Sequence, residues 1–208
     1  MERVLIVART HMKNGACIGG LVLSTNRSVR LLSQDGSNLQ TSTTFNVGEV
    51  WELEFNKPDR IESPHIEDVF VTGQRLIGKQ SNLREALMQR VRPWRGSPEQ
   101  LYDGLLVIKC TTGYVCRSNG VPNCSTGYWL PDKQLTLVYR GDKLYYKYPF
   151  GDEADWYNEA LAIKYVGYAD PIPRIPAHTL VRVSLARWFR PQGVSESKCY
   201  LQISGWYL

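Results

Sequence analysis

Apolar and polar residues alternate in short runs at both ends of this chain, the period-two signature of half-buried β-strands. The clearest instance is Leu180-Val181-Arg182-Val183-Ser184-Leu185-Ala186-Arg187-Trp188-Phe189-Arg190, followed by a turn at Pro191-Gln192-Gly193 and a last run from Cys199 to Leu208. Alternation puts Val181, Val183, Leu185 and Phe189 on one side and Arg182, Ser184, Trp188 and Arg190 on the other. Comparable runs at Val4–Arg9, Ala16–Leu23, Ser28–Leu32, Glu49–Phe55 and Asp68–Leu76 predict strands in the first part. Turn-forming clusters at Lys13-Asn14-Gly15, Gln34-Asp35-Gly36 and Lys57-Pro58-Asp59 separate them. Within Glu49–Phe55 the apolar positions are not all in register, so the face bearing Trp51 is expected to be covered too. That points to a closed or packed sheet.

The middle of the chain has a different period. Leu83, Ala86, Leu87 and Val91 recur at helical spacing, Ser81 or Asn82 can cap the start, and Pro93 ends the run. Ser97-Pro98-Glu99-Gln100 then reads as a second helix start, with Ser97 as N-cap and Pro98 at the first helical position. Strands resume at Leu105–Thr111. Leu135–Arg140 and Lys143–Tyr148 flank Gly141-Asp142, the two-residue turn of a type II′ hairpin. Asp152–Ala160 reads as an acidic helical turn, and Leu161–Tyr168 and the two terminal runs complete the strands. A five-stranded barrel with a helix between its third and fourth strands is the arrangement of an OB-fold. The first part carries about as many strands, so a second copy is inferred from strand count. The expectation is an all-β fold with short helices: one OB-like β-barrel over 1–80, a helical basic connector over 81–103 and a second OB-like barrel over 104–208.

Composition agrees with a packed β protein. Of 208 residues, 43% are hydrophobic and 22% charged, which is ordinary for a globular core, and twelve Tyr with six Trp favour strands. The net charge of +5 is unevenly placed. Arg75, Lys79, Arg84, Arg90, Arg92 and Arg95 share a short segment with one anion, Glu85, which leaves cations and anions balanced elsewhere. A localised basic stretch attracts polyanions, although it also suits the solvated side of a connector. The five cysteines are an odd and irregularly spaced set. No signal-peptide pattern precedes them, so reduced thiols and a cytoplasmic location are expected. No apolar run has the length of a bilayer span.

Several clusters invite chemistry. Pro64-His65-Ile66-Glu67-Asp68 brings an imidazole and two carboxylates together, a set suited to acid–base work or a divalent metal. In an extended segment, however, His65 and Glu67 share a face while Asp68 points away, and ordering of the loop is the simpler role. Lys13-Asn14-Gly15-Ala16-Cys17-Ile18-Gly19-Gly20 is Gly-rich but flanked by strands, so it fits neither a P-loop nor a dinucleotide fingerprint. The intervals among Cys110, Cys116 and Cys124 do not match paired zinc ligands, and no metal or cofactor is expected. Cations interleaved with aromatics are the stronger signal. Trp94 sits between Arg92 and Arg95, Trp188 between Arg187 and Arg190, and Tyr145, Tyr146 and Tyr148 surround Lys147. Rings of this kind stack bases while cations hold phosphates. They also decorate barrel exteriors and protein interfaces, and the acidic stretch Asp152, Glu153, Asp155 and Glu159 argues against a uniformly positive groove in the second barrel.

A set of segments spread along nearly the whole chain goes beyond pattern. They are Val4-Leu5-Ile6-Val7-Ala8-Arg9-Thr10, Arg27-Ser28-Val29-Arg30-Leu31-Leu32, Val47-Gly48-Glu49-Val50-Trp51, Pro64-His65-Ile66-Glu67-Asp68-Val69, Arg187-Trp188-Phe189-Arg190 and Cys199-Tyr200-Leu201-Gln202-Ile203-Ser204-Gly205-Trp206-Tyr207, with the Gly-rich loop between the first two. In these the chain resembles the bacterial dual OB-containing domain family. The resemblance implies two β-barrels in tandem and a link to nucleic acid or to bacterial defence and conflict systems. It brings no catalytic residues to carry over.

The resulting expectation is a binding module rather than an enzyme, holding nucleic acid with little sequence preference. Its contacts are expected at Arg75, Lys79, Arg84, Arg90, Arg92, Trp94 and Arg95, and at Arg182, Arg187, Trp188 and Arg190. Lys13, His65 and Glu67 are possible loop contacts. Two alternatives stand beside it: a protein-interaction subunit of a multi-component bacterial complex, and a metal-dependent hydrolase centred on His65 and Glu67.

Overall fold

The computed structural model describes residues 1–12, 14–151 and 160–208. The chain divides into two compact units, Met1–Arg92 and Pro93–Leu208, and each is mostly β. The segment 81–103, expected as a connector, is shared between them.

In the first unit the alternating runs become β1 (Glu2–His11), β2 (Ala16–Val22), β3 (Arg27–Leu32), β4 (Glu49–Asn56) and β5 (Asp68–Lys79). They close into a barrel in the order β1-β2-β3-β5-β4. Neighbours are antiparallel except β3 and β5, which run parallel. Closure depends on β1, which registers with β2 from Val4 to His11 and with β4 from Glu2 to Leu5. A register shift between Ile6 and Ala8 bends it between these two partners, as a β-bulge does. Val4, Ile6, Ile18, Val29, Leu31, Leu53 and Val69 fill the interior. The Trp51 side is covered as expected: Trp51 is buried, and Phe45 meets it edge-on at 4.7 Å between ring centroids.

The second unit repeats this plan with one strand cut in two. Its strands are β6 (Trp94–Gly96), β7 (Val107–Lys109), β8 (Thr112–Cys116), β9 (Thr126–Pro131), β10 (Leu135–Arg140), β11 (Lys143–Pro149), β12 (Ala160–Tyr165), β13 (Arg174–Ile175), β14 (Leu180–Leu185) and β15 (Lys198–Tyr207). The path β10-β11-β12-β15-β14-β9 has the same alternation of senses as the first barrel, including one parallel pair, β12 with β15. Strands β9 and β10 follow one another across 132–134. β9 pairs with β14 as β1 pairs with β4, and β10 pairs with β11 as β1 pairs with β2. Both units are therefore OB-like. β6 and β13 extend the two ends of the path, while β7 and β8 form a hairpin joined to β15. Among the described residues no helix is long and apolar enough to cross a membrane.

Several local expectations are corrected. The helical stretch ending at Pro93 is one short helix, α1 (Leu83–Met88). It is capped by the Asn82 side chain, which accepts from the Glu85 N–H at 3.1 Å and donates to its carboxylate at 2.9 Å. Pro98–Gly104 is not an α-helix but two short 3-10 turns about a kink, with Tyr102 and Asp103 at φ 54° and 57°. Burial of Leu101 and Tyr102 in the core overrides the local helix signal, and Ser97 makes no capping bond. Strand β14 stops at Leu185, so Phe189 does not share the buried side and is 59% exposed. The acidic turn expected over 152–160 lies almost wholly outside the described residues.

Two features give direct tests. Burial acts to raise the Glu49 carboxyl. The Asn46 side-chain and backbone N–H groups, the Trp51 indole N–H and the Lys79 charge outweigh it and hold the group below its ordinary 4.5. A carboxyl depressed on folding contributes stability that is present above its unfolded value and lost as pH falls through the folded one. Glu49→Gln should therefore narrow the gap between urea midpoints measured at neutral pH and at about pH 3. In the second unit, a Cβ on Gly127 would sit 2.2 Å from the Trp94 ring, which packs against the glycine. Gly127→Ala should cost about 1–3 kcal/mol by urea unfolding, with a shift in tryptophan emission as Trp94 is displaced.

Candidate functional site

The hairpin β10–β11, its outer neighbour β13 and the third barrel strand β12 form one continuous piece of sheet. Registers run Arg174–Thr136–Lys147–Ala162 across one row and Val138–Tyr145–Lys164 across the next, with Arg140 opposite Lys143 at the tip. Because side chains alternate, these rows share a face. Leu135, Tyr146, Tyr148, Leu161, Ile163 and Ile175 occupy the other face, inside the core. All five cations of these four strands therefore point outward with Tyr145, and the strands contain no Asp or Glu. The Arg140 guanidinium lies 5.3 Å from the Tyr145 ring centroid, so the tip of the hairpin joins a cation to an aromatic plane. Tyr139, beside it on β10, is 69% exposed. The tip itself is held by Gly141 at φ 62°, a conformation that suits glycine at the first position of a type II′ turn.

On the corresponding face of the first unit, one cation is neutralised within the sheet. Across the parallel pair β3–β5, Arg30 stands opposite Asp68 and makes two bonds to its carboxylate at 2.6 and 2.9 Å. Burial nevertheless pushes the Asp68 carboxyl above its ordinary value, against the pull of Arg30. Across the matching pair β12–β15, Lys164 stands opposite Gln202, which carries no charge.

The residues singled out from sequence are distributed otherwise. Arg75 pairs with Glu52, and Arg90 donates to the Leu23 carbonyl at 3.1 Å and to Asn26 at 3.3 Å. Lys79 lies near enough to Glu49 to lower its carboxyl. Arg84 and Arg92 are exposed in the first unit and Arg95 in the second, so the basic segment is split between units. Trp94 donates to Asp103 at 3.0 Å and packs on Tyr102 and Gly127, as a structural ring. Arg187 and Arg190 are exposed on the loop between β14 and β15. Trp188, on the same loop, packs against the core and lies under the Arg117 guanidinium at 4.6 Å. His65 and Glu67 are both buried, in a loop ordered by backbone bonds from His65 to Glu62 and from Arg30 to Glu67. Lys13 lies outside the described residues.

Arg182 is the clearest correction. It was expected on an outward face but is 4% exposed. Its Nη1 donates to Ser204 Oγ at 2.9 Å, and it registers with Tyr128 across β9. Burial raises the Tyr128 phenol, and the Arg182 charge works against that rise. Period-two alternation shows which side a residue takes, but not whether that side is later covered.

Sequence reasoning named Lys147 and Tyr145 only as neighbours of other tyrosines, and missed Arg140, Lys143, Lys164 and Arg174. The signal was present in the alternation through Leu135–Tyr148 about the Gly141-Asp142 turn, which already separates Arg140, Lys143, Tyr145 and Lys147 from Leu135, Tyr146 and Tyr148.

Comparisons with known proteins bear on the fold. The family profile described as dual OB-containing domain matches residues 2–206. No curated protein matches the chain. Among solved structures, a murine DNA-binding protein bound to double-stranded DNA aligns over 97% of this chain and 91% of its own, at 11% identity and a TM-score of 0.32. A likeness that slight carries no argument about this chain.

Among the described residues Arg182 is buried without a carboxylate bonded to it, which yields a prediction. Arg182→Met keeps an unbranched chain and removes a buried charge, so its urea midpoint should equal or exceed that of the wild type. Arg182→Ala should lose about 2 kcal/mol or more through the cavity it leaves. A solvated Arg182 would show neither effect.

Proposed function

The chain belongs to the dual OB-containing domain family, and from that premise we propose that it is a nucleic-acid-binding module with little sequence preference. One observation carries the reading: the outward face of β10, β11, β12 and β13 presents five cations and a tyrosine with no carboxylate on those strands. The outer face of the second and third barrel strands is where OB-folds take oligonucleotides and oligosaccharides. Cations in such number favour the polyanion of these two, since phosphate contacts gain from release of condensed counterions. Tyr145 supplies a ring between Val138 and Lys164, where a base can stack for about 1–3 kcal/mol. Contacts of this kind read backbone and base planes rather than base edges, so sequence preference is low. Exposed Arg187 and Arg190, on the loop between the fourth and fifth barrel strands, add to the same attraction.

Anisotropy titrations against single- and double-stranded oligonucleotides at two salt concentrations test the reading. Affinity should fall steeply with salt, and on single strands each cation removed from the face should flatten the slope of log K against log salt by about 0.7. Lys143→Ala with Lys164→Ala should weaken binding to all sequences alike, whereas Arg75→Ala, whose guanidinium is held by Glu52, should change it little. Salt-independent binding, or none at micromolar protein, overturns the reading. A single stoichiometric protein captured irrespective of nuclease treatment would move the assignment to a protein partner.

A further inference from the structure

The outward face does not stop at β12. Lys164 registers with Gln202 on β15, and Gln202 with Ser184 on β14, so the row that begins at Val138 and Tyr145 runs on across both strands. Along β15, Cys199, Leu201 and Ile203 are buried in the core, so Lys198, Tyr200 and Gln202 alternate with them onto this face. Tyr200 registers with Tyr114 and Lys198 with Cys116 on β8, part of the hairpin added to the barrel plan. On its other side Lys198 is bridged to Phe189. The Phe189 N–H donates to the Lys198 carbonyl at 3.0 Å, and the Phe189 carbonyl accepts the Lys198 N–H at 2.8 Å. Directly opposed residues share a face, so Phe189 stands beside Lys198 on the outside of the sheet. Its ring is 59% exposed on a backbone that these two bonds fix, whereas Trp188 packs against the core. The Lys198 ammonium lies 3.8 Å from the Tyr114 ring centroid, and Tyr114 meets Tyr200 edge-on at 6.1 Å. With strands about 4.8 Å apart and a rise of about 3.4 Å per residue, Phe189 lies about 20 Å from Tyr145 along the surface.

Building on the nucleic-acid reading above, we propose that Phe189 is a second base-stacking ring, placed so that the module takes single strands in preference to duplexes. Two rings on one face, with Lys164 between them and Lys198 beside the second, supply planes for bases and cations for the phosphates that link them. Single exposed aromatics are common on protein surfaces. Phe189 differs in being pinned by backbone bonds at a defined point of the same face, next to a cation. A paired base has both of its planes covered by its neighbours in the duplex, so a ring that stacks needs an unpaired base. Because Phe189 carries no charge, it adds affinity without adding to the salt dependence that the cations impose.

The test titrates the full chain with a single-stranded oligonucleotide, the duplex of the same sequence and a single strand carrying abasic sites, each at several salt concentrations. Phe189→Ala, at an exposed position, should weaken single-strand binding about tenfold, as the loss of one stacked base does. The slope of log K against log salt should stay where it was, because no cation has been removed. Phe189→Leu should lose as much, since it keeps apolar bulk without a π-face, and Phe189→Trp should keep the wild-type affinity. Affinities for the duplex and for the abasic strand should be the same in the wild type and in Phe189→Ala. Unchanged single-strand binding in Phe189→Ala, or an equal loss on the abasic strand, overturns the proposal and leaves the nucleic-acid reading standing. So does a flattened salt slope, which makes Phe189 a support for neighbouring cations. Wild-type affinity in Phe189→Leu reduces the ring to an apolar contact and overturns the proposal too. Failure of every oligonucleotide to bind overturns both.

Discussion

Closure of a five-stranded sheet by a first strand that serves two partners is the constraint on which the rest depends. In the first unit β1 bonds to β2 along most of its length and to β4 at its start, bending at the Ile6–Ala8 shift. In the second unit β9 and β10 divide the same duty. Once a sheet has closed, every strand has an inside and an outside, and a residue's parity decides its environment. Leu135, Tyr146, Tyr148, Leu161 and Ile163 are drawn inward together, so Arg140, Lys143, Lys147 and Lys164 are turned outward together. The basic face follows from the core.

The two copies of the fold treat the same location differently. Arg30 is matched by Asp68 across the parallel strands, a bidentate pair that satisfies both side chains. Lys164 faces Gln202 at the matching place. Of two barrels built to one plan, the second keeps on its outer strands a cation, Lys164, that faces no carboxylate across the parallel pair. The tyrosines follow a related division: Tyr146 and Tyr148 are core residues whose hydroxyls are bonded to Ile172 and Asp132, while Tyr145 is turned outward under Arg140.

Strand positions and the two-barrel plan were legible because alternation and turn chemistry agree along β1 to β5 and again through the β10–β11 hairpin. What escaped was set by tertiary context. β9 holds both a glycine and a proline and was not recognised, since Gly127 is needed to admit the Trp94 ring. Arg182 alternates correctly and is still 4% exposed, bonded to Ser204 and in register with Tyr128 on the neighbouring strand. The conspicuous Arg-Trp pairings misled for a similar reason: Trp94 and Trp188 lie beside cations in sequence, yet their rings are occupied in packing. The outward cations of the β10–β11 hairpin are less conspicuous in sequence, since they lie among tyrosines and leucines.

The break at 132–134 has a consequence for how a duplicated fold acquires something new. A continuous first strand, such as β1, keeps its outer surface filled by regular ladder geometry. Interrupting that strand releases three residues from the ladder, and all three, Asp132, Lys133 and Gln134, become walls around a hollow of about 720 Å3. The barrel is undisturbed, because β9 and β10 retain their separate partners. An interruption in the staves thus opens a hollow at the break, and the change leaves the shared scaffold intact.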